Sequence, residues 1–420
     1  MTEQPATDPG KPAHRGRALL KSRDFLFFIA ARFSFTLATQ MLTVAVGWSV
    51  YELTRDPLDL GLVGLFQFAP AFALIPVTGL AADRFARRRV MASCTGVQTL
   101  VGAFFFLNAQ FGGGAVWPIF LVLVLHGGAR AFLQPASQAI LPILVAKELF
   151  VNAVAYNSSA GKTAQLLGPV ISGLLIAWIG GGVFLATSML FLLATVSATM
   201  IGSRPTIPPK EPVGLQTVLG GFAYVWRRKI VLGAISIDLF AVLFGGVVGL
   251  LPVYARDILQ VGPEGLGLMR SMPGVGALAV GLALSQLPPP RRSGTLLFVT
   301  LAIFGTSIVV FGLSSLFWLS LAALAVYGAS DMVSVYIRAS LVQIATPDDK
   351  RGRVSAVNSV FINASNELGD FRAGTMAAAL GVVPAVVLGG AVTLGITALW
   401  WRLFPGLSRV DRLDDLPTED

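Results

Sequence analysis

Runs of about twenty apolar residues recur along this chain, and no other feature restricts its fold as tightly. A helix crossing the hydrocarbon core of a bilayer needs about 20 such residues, because no water is available there to satisfy free backbone groups. Runs of this kind occupy residues 25–50, 58–82, 92–112, 117–143, 157–179 and 182–202. A second series occupies 230–252, 264–286, 295–314, 317–340, 356–378 and 382–404. They predict an all-α membrane protein with twelve transmembrane helices. Composition agrees. The 420 residues are 55% hydrophobic and only 13% charged, whereas a soluble domain carries about 25% charge, so a water-facing surface cannot be assembled from them.

The formal net charge of +9 does not point to nucleic acid, because the basic residues gather on one set of alternating loops, as the positive-inside rule requires. Lys11, Arg15, Arg17, Lys21 and Arg23 precede the first span, and Arg84, Arg87, Arg88 and Arg89 follow the second. Lys147, Arg204, Lys210, Arg227, Arg228, Lys229, Arg291, Arg292, Lys350, Arg351 and Arg353 fall on the same side. The opposite loops hold little beyond Arg55 and Arg256, each beside an acid. This pattern places both termini in the cytoplasm. Residues 1–22 and 405–420 read as polar cytoplasmic tails, the first disordered and without the apolar core of a signal peptide. A single Cys94 excludes an internal disulfide and a cysteine-rich metal site.

Residues 203–229, broken by Pro205, Pro208, Pro209 and Pro212, form the longest polar interruption. They divide an N-terminal six-helix bundle (23–202) from a C-terminal one (230–404). The halves echo each other: Gly64 to Pro70 parallels Gly267 to Pro273, and Asn157, Gly168 and Gly173 recur as Asn358, Gly369 and Gly374 at a common offset. Arg130-Ala131 in the fourth span likewise matches Arg338-Ala339 in the tenth. Repeated six-helix halves related by an axis along the membrane normal place a solute cavity between them near the midplane.

The segment Gly79-Leu80-Ala81-Ala82-Asp83-Arg84-Phe85-Ala86-Arg87-Arg88 resembles the signature loop of the major facilitator superfamily, G-x-x-x-D-R-x-G-R-R, with Ala86 where glycine is usual. Gly168-Pro169-x-x-Ser172-Gly173 resembles the fifth-span motif of that superfamily's proton-coupled antiporters, with Ser172 replacing a glycine. Gly47 to Thr54 and Ser365 to Gly369 are similar to the branch containing siderophore and macrolide efflux proteins. The resemblance implies a twelve-span fold of two pseudo-symmetric bundles, a small amphipathic solute and proton-driven export. It also implies that Gly79, Asp83, Arg84, Arg87 and Arg88 form a cytoplasmic gating clasp, the alternative being a simple topogenic arginine cluster. Gly161, Gly168, Pro169 and Gly173 either mark an exporter or are ordinary small-residue helix packing.

Ionisable groups inside a span cost at least about 2.5–3.5 kcal/mol on insertion scales and normally face a cavity or a partner. Arg32 and Gln40 lie on a polar stripe of the first span, and Asn363, Asn366, Glu367 and Asp370 on one of the eleventh. His126 and Arg130 stand four apart on the fourth and share a face. Lys162, Asp238, Arg270 and Asp331 are isolated charges. A proton carrier must titrate near the working pH, and Glu367 leads the candidates, followed by Asp238, Asp331, Asp370 and His126. The alternative for each carboxylate is a structural ion pair with Arg32, Arg130, Lys162 or Arg338. Candidates for lining the solute cavity are Arg32, Gln40, Gln67, Arg130, Lys162, Asn363 and Asn366, with Phe240 among the aromatics. Arg32, Arg130, Lys162 and Arg270 would suit an anionic solute.

No Walker sequence, nucleophile elbow or metal-ligand cluster occurs, so neither an enzyme nor a cofactor is expected. The expected partners are a small-molecule solute, protons and lipid; the expected state is a monomer in a bacterial inner membrane. Two alternatives remain: a proton-coupled importer of the same fold, and a non-transporting membrane sensor or scaffold.

Overall fold

The first helix begins where Ser22 accepts the Phe25 N–H on its hydroxyl at 3.4 Å, a side-chain cap that satisfies one of the free amides of a helix start. The computed structural model describes residues 19–74, 77–78, 85–202, 222–286 and 291–411, except the side chains of Asp348, Asp349, Ala356 and Asn363. Gly79, Asp83 and Arg84 lie outside the described residues.

Among the described residues the long helices are α1 (Arg23–Thr54), α2 (Pro57–Ala73), α3 (Arg87–Phe111), α4 (Trp117–Leu144), α5 (Phe150–Ile179) and α6 (Val183–Met200). They continue with α7 (Lys229–Gly245), α8 (Gly262–Gln286), α9 (Ser293–Leu313), α10 (Phe317–Ile344), α11 (Asp348–Leu380) and α12 (Val382–Leu403). Nine described stretches are long and apolar enough to cross a membrane on their own; one of them, Lys147–Met200, contains both α5 and α6. The remaining two helices are the 17-residue α2 and the polar α11. The helix that a hydropathy test rejects is the one with the richest polar stripe.

Several boundaries differ from the expected spans. α5 starts at Phe150 and α11 at Asp348, seven and eight residues ahead of expectation, because a polar helical turn can project into water without a hydropathy signal. At 33 residues, α11 is about 50 Å long, more than the roughly 30 Å of hydrocarbon. α7 stops at Gly245, and the chain continues through short turns at Val248–Leu250 and Leu251–Val253 into a wide π-type turn at Tyr254–Ile258. Gly245, Gly246 and Pro252 favour the break, which a hydropathy window cannot see.

Within the first half α1 packs on α5 and α6, α3 on α4 and α6, and α2 on α4; within the second, α7 packs on α11 and α12, α9 on α10 and α12, and α8 on α10. The halves join where α2 crosses α11 and α5 crosses α8. Glycines of the internal repeat sit in both crossings. A Cβ on Gly374 would lie 2.7 Å from the Pro57 carbonyl and 2.8 Å from Gly61 Cα, and one on Gly173 would lie 3.1 Å from Gly267 Cα.

The apolar cores show how the halves meet. At the end carrying Arg23 each half keeps its own core, one around Phe25, Met91 and Leu133 and another around Ile235, Phe298 and Leu341. At the Tyr51 end a single core joins Val44, Tyr51 and Leu60 of the first half to Leu250, Tyr254 and Phe311 of the second.

Candidate functional site

A polar centre lies where α11 faces the first half. Glu367 stands over the α2 backbone at Gly64, 3.5 Å from where a Cβ would be, and within electrostatic reach of Arg130 on α4 and Arg270 on α8. Among the described residues, Glu367, Arg130 and Arg270 make no hydrogen bond and no ion pair within 4 Å. One turn on, Asp370 accepts the Gly249 N–H at 3.1 Å. Arg372 donates to the Phe244 carbonyl at 2.7 Å and to Gly246 at 3.4 Å. These two side chains hold the broken end of α7, taking up backbone groups that lost their helical partners.

Arg372 has no place among the sequence candidates, although the same intramembrane-charge rule identifies it, since it falls inside the 356–378 span.

The other carboxylate candidates are already partnered. Arg338 on α10 pairs with Asp238 on α7, with side chains 7% and 13% exposed, and its second nitrogen lies 3.8 Å from Asp331. For Asp238 the structural ion pair is therefore what the geometry shows; Asp331 keeps a more open side chain. His126, named as a proton-carrier candidate, lies inside the first half. It is buried against α3, where its Nδ1 meets Gln98 Oε1 at 2.6 Å and its own carbonyl accepts the Gln98 amide at 3.0 Å.

Arg32 donates to Ser137 on α4 at 3.1 Å, two turns from Arg130 on one helix face. Gln40 packs where Gly168 lets α5 approach α1. Ser172, the departure from the antiporter motif, donates to the Met41 carbonyl at 2.9 Å and so ties α5 to α1. Pro169 is buried, with its carbonyl against Gly267 of α8. Gly161 needs correction too: nothing lies within 4 Å of its Cβ position, because two turns from Gly168 the neighbouring helices have separated. Lys162 is exposed, one turn from Leu166, whose carbonyl accepts the Ser271 hydroxyl of α8 at 2.9 Å.

Gln67 is a packing residue rather than a wall: its amide donates to Val63 in its own helix at 3.2 Å, buried where α2 meets Gly127. Phe240 likewise packs on Trp400, ring centroids 5.2 Å apart. Asn366 is exposed and donates to Ile362 at 2.8 Å. The Asn363 side chain lies outside the described residues. Of the arginine loop, Arg87 donates to the Ala139 carbonyl at 2.8 Å and Arg88 is half-buried.

A clasp closes the Tyr51 end. Asp257 accepts the Tyr51 hydroxyl and lies 3.2 Å from Arg55. Arg256 pairs with Glu52 and stacks over Trp48 at 5.6 Å. The sequence sets each of these arginines beside an acid, yet the structure pairs each with an acid of the other half. The side chains are 22–50% exposed, so each pair contributes about 0.2–1 kcal/mol, weak enough for a gate that must open. Replacing Arg256 and Asp257 together by Ala is expected to cost about 1–2 kcal/mol of closure, a population shift of about five- to thirtyfold. Spin labels at Trp117 and Leu316, which start α4 and precede α10 at this end, should report a longer distance; an unchanged distribution would remove the clasp from the gate.

A cavity of about 630 Å³ opens at the same end, away from Glu367, lined by Trp48, Glu52, Phe105, Phe184 and Glu264 among others.

Residues 18–419 match the family profile described as transmembrane secretion effector. The chain is 25% identical over 372 residues to the enterobactin exporter EntS of Escherichia coli O139:H28 (strain E24377A / ETEC), covering 87% of each protein. Its fold is similar to that of a bacterial homolog of the human lysosomal transporter Spinster in an inward-facing and occupied conformation, with TM-score 0.71, 14% identity and 95% and 98% of the two chains covered. A bacterial homologue of the iron transporter ferroportin in an inward-facing state matches with TM-score 0.68 and 17% identity, over 92% and 99% of the chains.

Proposed function

The chain belongs to the transmembrane secretion effector family of the major facilitator superfamily, and from that premise we propose that it exports a small amphipathic solute from the cytoplasm in exchange for inward-moving protons. The relative's role as an enterobactin exporter favours siderophores or similar lipophilic metabolites, with drugs as the wider class. The protein sits in a bacterial inner membrane as a monomer with both termini in the cytoplasm. The basic loops support that orientation, which turns the clasped Tyr51 end outward.

One observation carries the reading: Glu367 of α11 lies within electrostatic reach of Arg130 on α4 of the other half, and among the described residues neither side chain has a hydrogen bond or ion pair. A proton-coupling carboxyl must be free to release and regain its proton, which a fixed ion pair such as Asp238–Arg338 opposes. The cytoplasmic ends of the halves have separate cores, so solute enters there. Arg130, Arg270, Arg32 and Lys162 give the space a positive bias that suits an anionic head group.

Residues 23–202 and 230–404 then rock as two halves about the crossings α2–α11 and α5–α8. The segment after the α7 break links the two events. Its start is gripped by Asp370 and Arg372, and its end carries Arg256 and Asp257 of the clasp. A change of charge on α11 therefore reaches the outer gate through one short piece of backbone. Asp83 and the arginines after it would form the opposing cytoplasmic latch.

Inverted membrane vesicles test the proposal. An imposed pH gradient, acid inside, should drive uptake of a siderophore or lipophilic drug, and a proton ionophore should abolish it. Gradient-independent behaviour across a broad solute panel would refute coupled export.

A further inference from the structure

The cavity at the Tyr51 end belongs to a different part of the molecule from the space between Arg130 and Glu367. It lies beside α1, α3, α5 and α6, with the first turn of α8 completing its wall. Its mouth is bounded by glycines of the loops joining α3 to α4 and α5 to α6, namely Gly112, Gly114, Gly180 and Gly181. Its volume of about 630 Å³ is within the roughly 300–1,000 Å³ of small-molecule sites.

The chemistry of the lining is one-sided. Two carboxylates, Glu52 and Glu264, reach the cavity, and among the described residues no Lys, Arg or His lines it. Glu264 has no ion pair among the described residues. Deeper in, Phe105 and Phe184 stack with centroids 5.4 Å apart, and the Trp48 indole forms part of the wall. Aromatic faces and a carboxylate without a counter-ion, as Glu264 is among the described residues, attract the same kind of guest, an organic cation wrapped in apolar groups.

We infer that this cavity is a second ligand site, open to the outer face, that binds lipophilic cations and loosens the clasp when occupied. The link to the clasp is local. Glu52 is the carboxylate that Arg256 uses, and Trp48 is the ring Arg256 covers. A cation settling against Glu52 and Trp48 competes with Arg256 for both. Occupancy and closure are therefore antagonistic, and linkage makes the antagonism mutual. The site is independent of the export reading, since it uses none of the groups assigned to proton coupling.

Tetraphenylphosphonium is the probe, and tetraphenylborate, nearly the same shape with the opposite charge, is its control. Binding to the purified full-length protein in lipid nanodiscs is measured by equilibrium dialysis. Glu264→Gln is expected to weaken phosphonium binding about tenfold. Ser49→Trp, which fills the cavity from α1, should abolish it, with monodispersity on gel filtration confirming that both variants fold. Saturating phosphonium should lengthen the Trp117–Leu316 spin-label distance in the parent protein and leave it unchanged in Ser49→Trp. Three results would each overturn the inference. They are phosphonium binding that neither substitution alters, borate binding that Ser49→Trp removes, and a co-purified phospholipid held in the cavity that phosphonium does not displace.

Discussion

Glu367→Gln is expected to abolish proton-driven accumulation while solute-for-solute exchange continues. Glutamine keeps the size and hydrogen-bonding capacity of a protonated glutamate but cannot release a proton, so it fixes the site in one of its two charge states. One proton moving down a gradient of two pH units supplies about 2.7 kcal/mol, which sustains about a hundredfold solute ratio when one proton is exchanged per solute. In reconstituted proteoliposomes the variant should fall from that ratio to near unity, and its exchange rate should lose its pH dependence. Glu367→Asp, which keeps the titratable group on a shorter stem, should retain part of the gradient. A Glu367→Gln protein that accumulates solute like the parent would move coupling elsewhere, first to Asp331, whose side chain is 42% exposed.

The largest effect on stability is expected at Arg338. Its guanidinium is buried between α7 and α10 and neutralises Asp238, itself only 13% exposed. Arg338→Ala leaves that carboxylate without a counter-ion in a low-dielectric interior, and breaking such a pair from one side costs about 3–5 kcal/mol. The purified variant should show a clearly lower thermal midpoint and poor recovery. Adding Asp238→Asn in the same chain removes the stranded charge and should restore much of the loss. Asp331→Asn, whose carboxyl lies 3.8 Å from Arg338, should have a far smaller effect on its own. Equal destabilisation by Arg338→Ala with and without Asp238→Asn would show that the pair is not what holds α7 to α10.

Much of the fold can be read from the residues in order. Apolar length announces ten of the twelve helices, and α2 lies within a residue of the same threshold. The glycine repeats hold more. Gly64 and Gly374 lie in the α2–α11 crossing and Gly173 and Gly267 in the α5–α8 crossing, so an echo between halves marks the places where the halves touch. The site is less legible. Glu367 stands out as a charge inside a span, yet nothing local separates it from Asp238, which Arg338 neutralises from another helix. His126 stood among the proton-carrier candidates as an ionisable group inside a span, and which way its imidazole turns, toward Gln98 of α3, is set by packing. Arg372 and the cross-pairing of Arg55 with Asp257, 202 residues apart, depend on which helix happens to lie opposite.

By itself, then, the order of residues determined that the chain is built of helices apolar enough for a bilayer, which loops keep the positive charge, and that motifs of its first half echo in its second. Those properties follow from solvation and periodicity, which act on each segment separately. Packing decided which charges meet, where α7 breaks, that the halves are joined at the Tyr51 end and keep separate cores at the other, and that Glu367 and Arg130 come within electrostatic reach with no ion pair among the described residues. Such properties arise between segments far apart in sequence, because an electrostatic partner is chosen by distance in space, and only assembly of the helices sets that distance.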